Sequence, residues 1–109
     1  ASDVYKRQAI AQAQVGTSIG TIYTSTNNSA TTVIFFCNTT GSAATVSAYA
    51  VASGGTAGAS NQIIKDLTIA GGDTYVMNAE KLVLGNADTI QASSDTASAI
   101  TATVSYVGI

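Results

Sequence analysis

Histidine, proline and tryptophan are absent from this chain, cysteine occurs once, and charged side chains make up 9% of its 109 residues. Without histidine the commonest general base is gone, and with it the usual hydrolase triads and most zinc or copper sites. Cys37 stands alone, so an internal disulfide is impossible and the redox compartment is undetermined. Its apolar surroundings in "VIFFCN" predict a buried, inert thiol. The scarcity of charge, set against roughly 25% in an average soluble domain, would suit a membrane span. No apolar run approaches the ~18 residues such a span needs, no secretory signal pattern is present, and disorder would require less apolar residue and more charge. A net charge of −2 gives no reason to expect a nucleic-acid or acidic-membrane partner. Strand edges without proline and with few charges are poorly guarded against pairing with other chains. That favours a protein living inside an assembly, as a homo-oligomer or bound to a lattice.

The acids offer little chemistry. Asp73, Glu80, Asp88 and Asp95 each sit in or beside a turn signal, where a carboxylate commonly bonds nearby backbone. A glycosidase needs two carboxyls across one cleft, and no alternating acid spacing of a calcium loop is present. A calcium ion shared between neighbouring loops stays open as a reading. "GGTAG" (54–58) lacks the following helix and lysine of a phosphate loop, so it reads as a flexible connection. "NNS" (27–29) and "NTT" (38–40) match the glycosylation triplet, which recurs by chance in a threonine-rich chain. Aromatic residues are too few for a recognisable sugar or nucleic-acid platform, and Tyr49, Tyr75 and Tyr106 fall where core packing is the default. No catalytic, cofactor-binding or metal-ligating residue is assigned, and no cofactor is expected.

What the chain does have is alanine, threonine and serine, at 19, 16 and 12 residues. A surface of hydroxyls and methyls stays hydrated with few ions and packs closely on copies of itself. Beyond residue 15 the pattern is of short strands separated by turn signals: 18–26, 31–38, 45–51, 63–70, 74–78, 81–85, 89–94 and 99–109. The 31–38 segment is apolar on both parities, as in a central strand covered on both faces. The last segment alternates cleanly, with Ile100, Ala102, Val104 and Tyr106 on one side and Thr101, Thr103 and Ser105 on the other. "AIAQAQ" (9–14) has the propensity for one helical turn but no cap and no useful stripe. About seven to eight strands with breaks every 8–12 residues predict an all-β fold, an antiparallel β-sandwich of immunoglobulin-like or jelly-roll-like form. Residues 9–109 are expected to form that single domain.

"VIFFCNTTGSAATVSAYAV", "IIKDLTIAGGDTYVM", "KLVLGNADTIQASS" and "ITATVSYVGI" together resemble small virion structural proteins of environmental tailed bacteriophages. In these, short β-sandwich modules decorate the head or belong to the neck, tail or fibre. The resemblance covers roughly residues 15–109, with "LTIAGGDTYV" as a strand–turn–strand unit and "LVLGNADTIQA" as a hairpin. It implies a non-enzymatic virion protein, assembled in the host cytoplasm and bound to other virion proteins or copies of itself. The alternative is a glycan- or host-binding module of a phage fibre or bacterial adhesin, with loops 27–31 and 52–61 as contact regions.

The opening "ASDVYKRQ" reads differently. It resembles the in-frame translation of a transposase-based sequencing adapter, GCG TCA GAT GTG TAT AAG AGA CAG. This implies that residues 1–8 are not native and are disordered or arbitrarily placed against the sandwich, and that the native N-terminus is missing, which leaves open whether further domains precede Ala9. Lys65 and Lys81 then face five acids, for a native net charge of −3.

Overall fold

The computed structural model describes residues 8–77 and 82–108; among these the chain is all-β, with no helix. The strands are β1 (Gln8–Val15), β2 (Gly20–Thr24), β3 (Ser29–Asn38), β4 (Ala44–Val51) and β5 (Gln62–Ile69). They continue with β6 (Thr74–Met77), β7 (Val83–Leu84), β8 (Thr89–Ser94) and β9 (Ile100–Gly108). One sheet runs β1-β9-β3-β6, with β7 also paired to β3; the other runs β2-β8-β4-β5. Every pairing is antiparallel.

The expected alternation builds the core. On β9, Ile100, Ala102 and Val104 are fully buried, while Thr101, Thr103 and Ser105 turn outward. Ile34 and Phe36 of β3 point the same way, and the facing sheet supplies Val46, Ala48, Ile90 and Ala92. Each buried Ile, Val or Phe stabilises by about 1.5–3 kcal/mol relative to leaving it in water. Alanines interleaved with these larger residues let the sheets close without voids. A bulge between Thr21 and Tyr23 turns both Ile22 and Tyr23 inward.

Three expectations need correction. The 9–14 segment, which the strand pattern beyond residue 15 left out, is itself a strand: β1 pairs with β9 along its whole length, starting at Gln8 opposite Val107. Its Ala11, Ala13 and Val15 face the core, and docking on β9 outweighs the helix propensity of alanine and glutamine. The last residue of the opening octet is thus in strand register; residues 1–7, and Glu80, lie outside the described residues. The 82–92 unit is no hairpin, while the strand–turn–strand unit at 67–76 is present and spans the two sheets. β5 lies in one sheet and β6 in the other, and β7 and β8 are divided in the same way. Gly-Asp turn chemistry serves a corner as well as a hairpin; the choice falls to whichever inner face the next apolar residues complete. Finally, β3 is central, but among the described residues a second layer covers one of its faces and not the other.

Among consecutive strands only β4 and β5 pair directly. Apart from β6 and β7, which share β3, the other connections cross between sheets. This interleaved order is that of a jelly roll rather than an immunoglobulin sandwich, where consecutive strands more often share a sheet.

The crossings gather the loops at two ends. At one, Asp88 accepts from the Gly85 N–H and the Ser53 N–H, both at 2.8 Å, joining the β7–β8 turn to the β4–β5 loop. At the other, Asp95 accepts from the Thr45 N–H at 2.9 Å and the Thr96 hydroxyl at 3.0 Å. Both carboxylates thus hold backbone in turns, as expected. The Thr45 N–H first, then the Thr96 hydroxyl, lower the Asp95 pKa from its ordinary 3.8. A carboxyl whose folded pKa is depressed stabilises the fold above its unfolded pKa, and this is lost as pH falls through the folded value. Asp95→Asn is therefore expected to flatten the decline of the urea midpoint below about pH 4, leaving the neutral-pH midpoint the more affected of the two. Equal slopes in both proteins would exclude this role.

Candidate interaction surface

Strand alternation fixes what the β1-β9-β3-β6 sheet shows on its outer side. From β1 come Ile10, Gln12 and Gln14; from β9 come Thr101, Thr103, Ser105 and Val107. From β3 come Ala30, Val33, Phe35 and Cys37, and at the far edge stand Val76 of β6 and Val83 of β7. A bulge between Thr31 and Val33 sets Thr32 on this side as well, opposite Ser105. Ile10 and Val83 are the most open, at 62% and 72% exposure.

No strand of this sheet carries a charge among the described residues. The described charges are Lys65 and Asp66 on β5 and Asp73, Asp88 and Asp95 in turns. The outer side of the other sheet carries charge: Ser47 bonds Asp66, Gln91 and Ser93 alternate with buried partners, and Ile63 is exposed on the strand that bears Lys65 and Asp66. The two outer faces are therefore different in kind. On the uncharged one, several polar groups are already paired with each other: Thr32 donates to Ser105 Oγ at 2.9 Å, and Gln12 donates to Thr103 Oγ1 at 3.3 Å. Covering this face strips water from apolar groups and from hydroxyls that keep their partners, so the desolvation cost is small.

The size of the face decides what it can do. Four strands at ~4.8 Å spacing and eight residues at ~3.3 Å give roughly 500 Å². Two such faces pressed together bury about 1,000 Å², the lower limit for a specific interface. One face contact alone is thus marginal, and durable assembly needs several contacts per subunit. β6 can supply another: it is a four-residue, uncharged edge strand whose Tyr75 and Val76 are exposed.

Sequence reading placed Phe35 and Cys37 in a covered strand and predicted a buried thiol. Cys37 is instead half-buried on this outer face, opposite Thr74 and Thr101. Periodicity showed that β3 was apolar on both sides but not that the described residues leave one side uncovered. Of the expected contact regions, residues 52–61 do form a loop, whereas 29–31 belong to β3. Both regions lie at the same end, since Asn86 and Asp88 bond Asn27 and Ser53. Asn38 of the second glycosylation triplet is fully buried and hydrogen bonded, so it is no acceptor site. Among the described residues, no group of three or more His, Cys, Asp or Glu comes together. No helix there is long and apolar enough to cross a membrane.

No protein-family model matches the chain, and no curated protein sequence matches it. Among solved structures it is similar to a chain of Bacillus endospore appendages, described as a family of disulfide-linked pili. The two are 17% identical with a TM-score of 0.50, over 94% of this chain and 85% of that one. It is also similar to a chain of infectious bursal disease virus, Gx strain, at 15% identity and a TM-score of 0.42. That likeness takes in 93% of this chain and 30% of the other. At these identities the appendage subunit shares a fold with this chain.

Proposed function

We propose that this chain is a non-enzymatic structural subunit of an assembled particle. Its partners are copies of itself, met through the uncharged outer face of the β1-β9-β3-β6 sheet. The observation that carries this is β3, a central strand whose outward side shows Val33, Phe35 and Cys37 with no second layer over them among the described residues. Soluble surfaces normally intersperse charge; a whole sheet face without any suits burial against a like face, because copies meet without charge repulsion. The marginal area of one such contact suits a subunit held many times over in a lattice rather than an isolated dimer. Jelly rolls host viral capsid subunits, and the appendage protein that shares this fold builds pili, both by analogy of fold alone. The resemblance of residues 15–109 to phage virion proteins narrows the reading to a head-decoration, neck or tail-associated protein of a tailed bacteriophage.

Sedimentation of the purified chain is expected to show self-association with a Kd of about 10–100 μM. Phe35→Lys places a charge at the centre of the face and should abolish association while leaving the melting temperature within about 2 °C, since Phe35 lies outside the core. A wild-type protein that stays monomeric throughout, or a Phe35→Lys protein that associates as before, would overturn the reading. In the phage context, the chain should co-purify with intact particles at fixed copy number.

A further inference from the structure

At the end of the sandwich where Asn86 and Asp88 gather the loops, a cavity of about 380 Å³ lies between the β2–β3 loop and the end of β9. Its floor is aromatic. Tyr23 and Tyr106 come from different sheets and meet with ring centroids 4.4 Å apart and planes tilted by 33°. Tyr23 is buried, whereas Tyr106 is half-buried and lines the space. The wall is made by Thr26, Asn27 and Asn28, with Ser29 and Gly108 completing it.

This arrangement is held in place. Tyr23 Oη and Ser29 Oγ are 2.8 Å apart, Ser29 Oγ and Ser25 Oγ 2.7 Å, and Ser25 Oγ donates to the Asn27 carbonyl at 3.0 Å. Each hydroxyl has one proton, so the direction is fixed: Ser25 gives its proton to Asn27, Ser29 to Ser25, and Tyr23 to Ser29. Asn27 itself sits in the left-handed region, φ 58°, and its N–H donates to Asn86 Oδ1 at 2.8 Å. A non-glycine residue in that conformation costs of order 1 kcal/mol, and it persists here because both its backbone groups are tied. Among the described residues, the hydrogen bonds of this loop use the Asn27 backbone and leave the Asn27 and Asn28 amides and the Tyr106 hydroxyl without protein partners.

The chemistry of the lining selects a ligand class. Among the described residues no charged side chain lines the cavity, so phosphates, carboxylates and ammonium groups would lose hydration with nothing there to replace it. Two amides can each donate and accept, as vicinal hydroxyls do, and a tyrosine face accepts the C–H side of a saturated ring. A hexopyranose, with about 12 heavy atoms, fits within the volume. We propose that this cavity binds one uncharged pyranose unit of a glycan, packed on Tyr106 and hydrogen bonded by the Asn27 and Asn28 amides. The site stands independently of the assembly face, because it lies at the loop end and shares no residue with that face.

The test is an NMR titration of the chain with methyl glucoside, methyl galactoside and N-acetylglucosamine, beside sorbitol, adenosine and inorganic phosphate. At least one pyranose should shift the amides of residues 26–29 and the ring signals of Tyr106 saturably, with a Kd of about 1–10 mM. Asn28→Ala, on an exposed loop position, should weaken that binding by about fivefold, and Tyr106→Phe should keep it within about threefold. No saturable shift with any of the three sugars would overturn the proposal. So would sorbitol, adenosine or phosphate binding as well as the best sugar, or an Asn28→Ala protein that binds unchanged.

Discussion

Asn38→Ala is expected to lower the unfolding free energy by about 3–5 kcal/mol, or ~15–25 °C in melting temperature. Asn38 ends β3, is fully buried, and uses its amide completely. Its Nδ2 donates to the Ser42 carbonyl at 2.8 Å and the Ile69 carbonyl at 2.9 Å. Its Oδ1 accepts from the Thr40 N–H at 3.0 Å and the Thr40 hydroxyl at 2.8 Å. The backbone adds two more bonds, from its N–H to Asp73 and from the Gly72 N–H to its carbonyl. One residue thus ties β3 of one sheet to the end of β5 in the other and to the loops on either side. Removing the amide strands several polar groups away from water, and each costs ~1–3 kcal/mol when left unpaired. Asn38→Asp keeps the shape but aims a carboxyl at two carbonyl oxygens. Burial and those oxygens raise its folded pKa, so the penalty is absent below the unfolded pKa of about 3.9 and grows as pH rises above it. Chemical denaturation of the Asp variant should therefore show stability falling from pH 4 to pH 7, opposite in sign to the Asp95 contribution. An Ala variant within about 1 kcal/mol of wild type would show that the amide does not join the sheets.

Gly71→Ala is expected to cost about 2–3 kcal/mol, and it should do so where two neighbouring glycines tolerate more. A Cβ on Gly71 would stand 2.4 Å from the Gly41 carbonyl carbon, 2.6 Å from its oxygen and 2.7 Å from the Ser42 nitrogen. All three are backbone atoms, so relief requires moving the β3–β4 loop away from the 70–73 turn. That loop is held by Asn38, which makes the shift expensive. Gly72 needs its freedom for a different reason, a φ of +80° with open space around it, and Gly72→Ala should cost about 1 kcal/mol. Gly41→Ala meets nothing within 4 Å and should stay within about 0.5 kcal/mol. Denaturant midpoints in the order Gly41→Ala, Gly72→Ala, Gly71→Ala, from most to least stable, are the expected result. A Gly71→Ala protein as stable as Gly41→Ala would mean the two loops do not touch as described.

Both variants test contacts that join the sheets, and there the reach of sequence reading ends. Period-two alternation in "AITATVSYVGI" shows both the strand and its buried side, because a pleated strand has only two faces and the apolar one must leave water. A continuous apolar run placed β3, turn signals bounded β4 and β8, and turn chemistry placed Asp88 and Asp95 in supporting roles. Sequence reading failed on "AIAQAQ", whose composition suits a helix as well as an edge strand, so that only a partner strand could decide.

The candidate sites were less legible still. Tyr106 read as a core residue, and the few aromatic residues argued against a sugar platform. Tyr23 and Tyr106 are 83 positions apart in the chain, and nothing in either neighbourhood announces a contact that closes across the sheets at 4.4 Å.

By itself, then, the sequence determined an all-β chain, its main strands, the inward side of β9 and a surface poor in charge, because these follow from local periodicity and composition. Only the tertiary structure decided which sheet each strand joins, since a corner and a hairpin use the same turn residues. It alone set Asn38 and Gly71 at the junction between sheets, turned Phe35 and Cys37 of β3 to the outer side, and brought two distant tyrosines to one cavity. Those are pairings between remote parts of the chain, and their energies depend on surfaces that exist only once the sheets have closed.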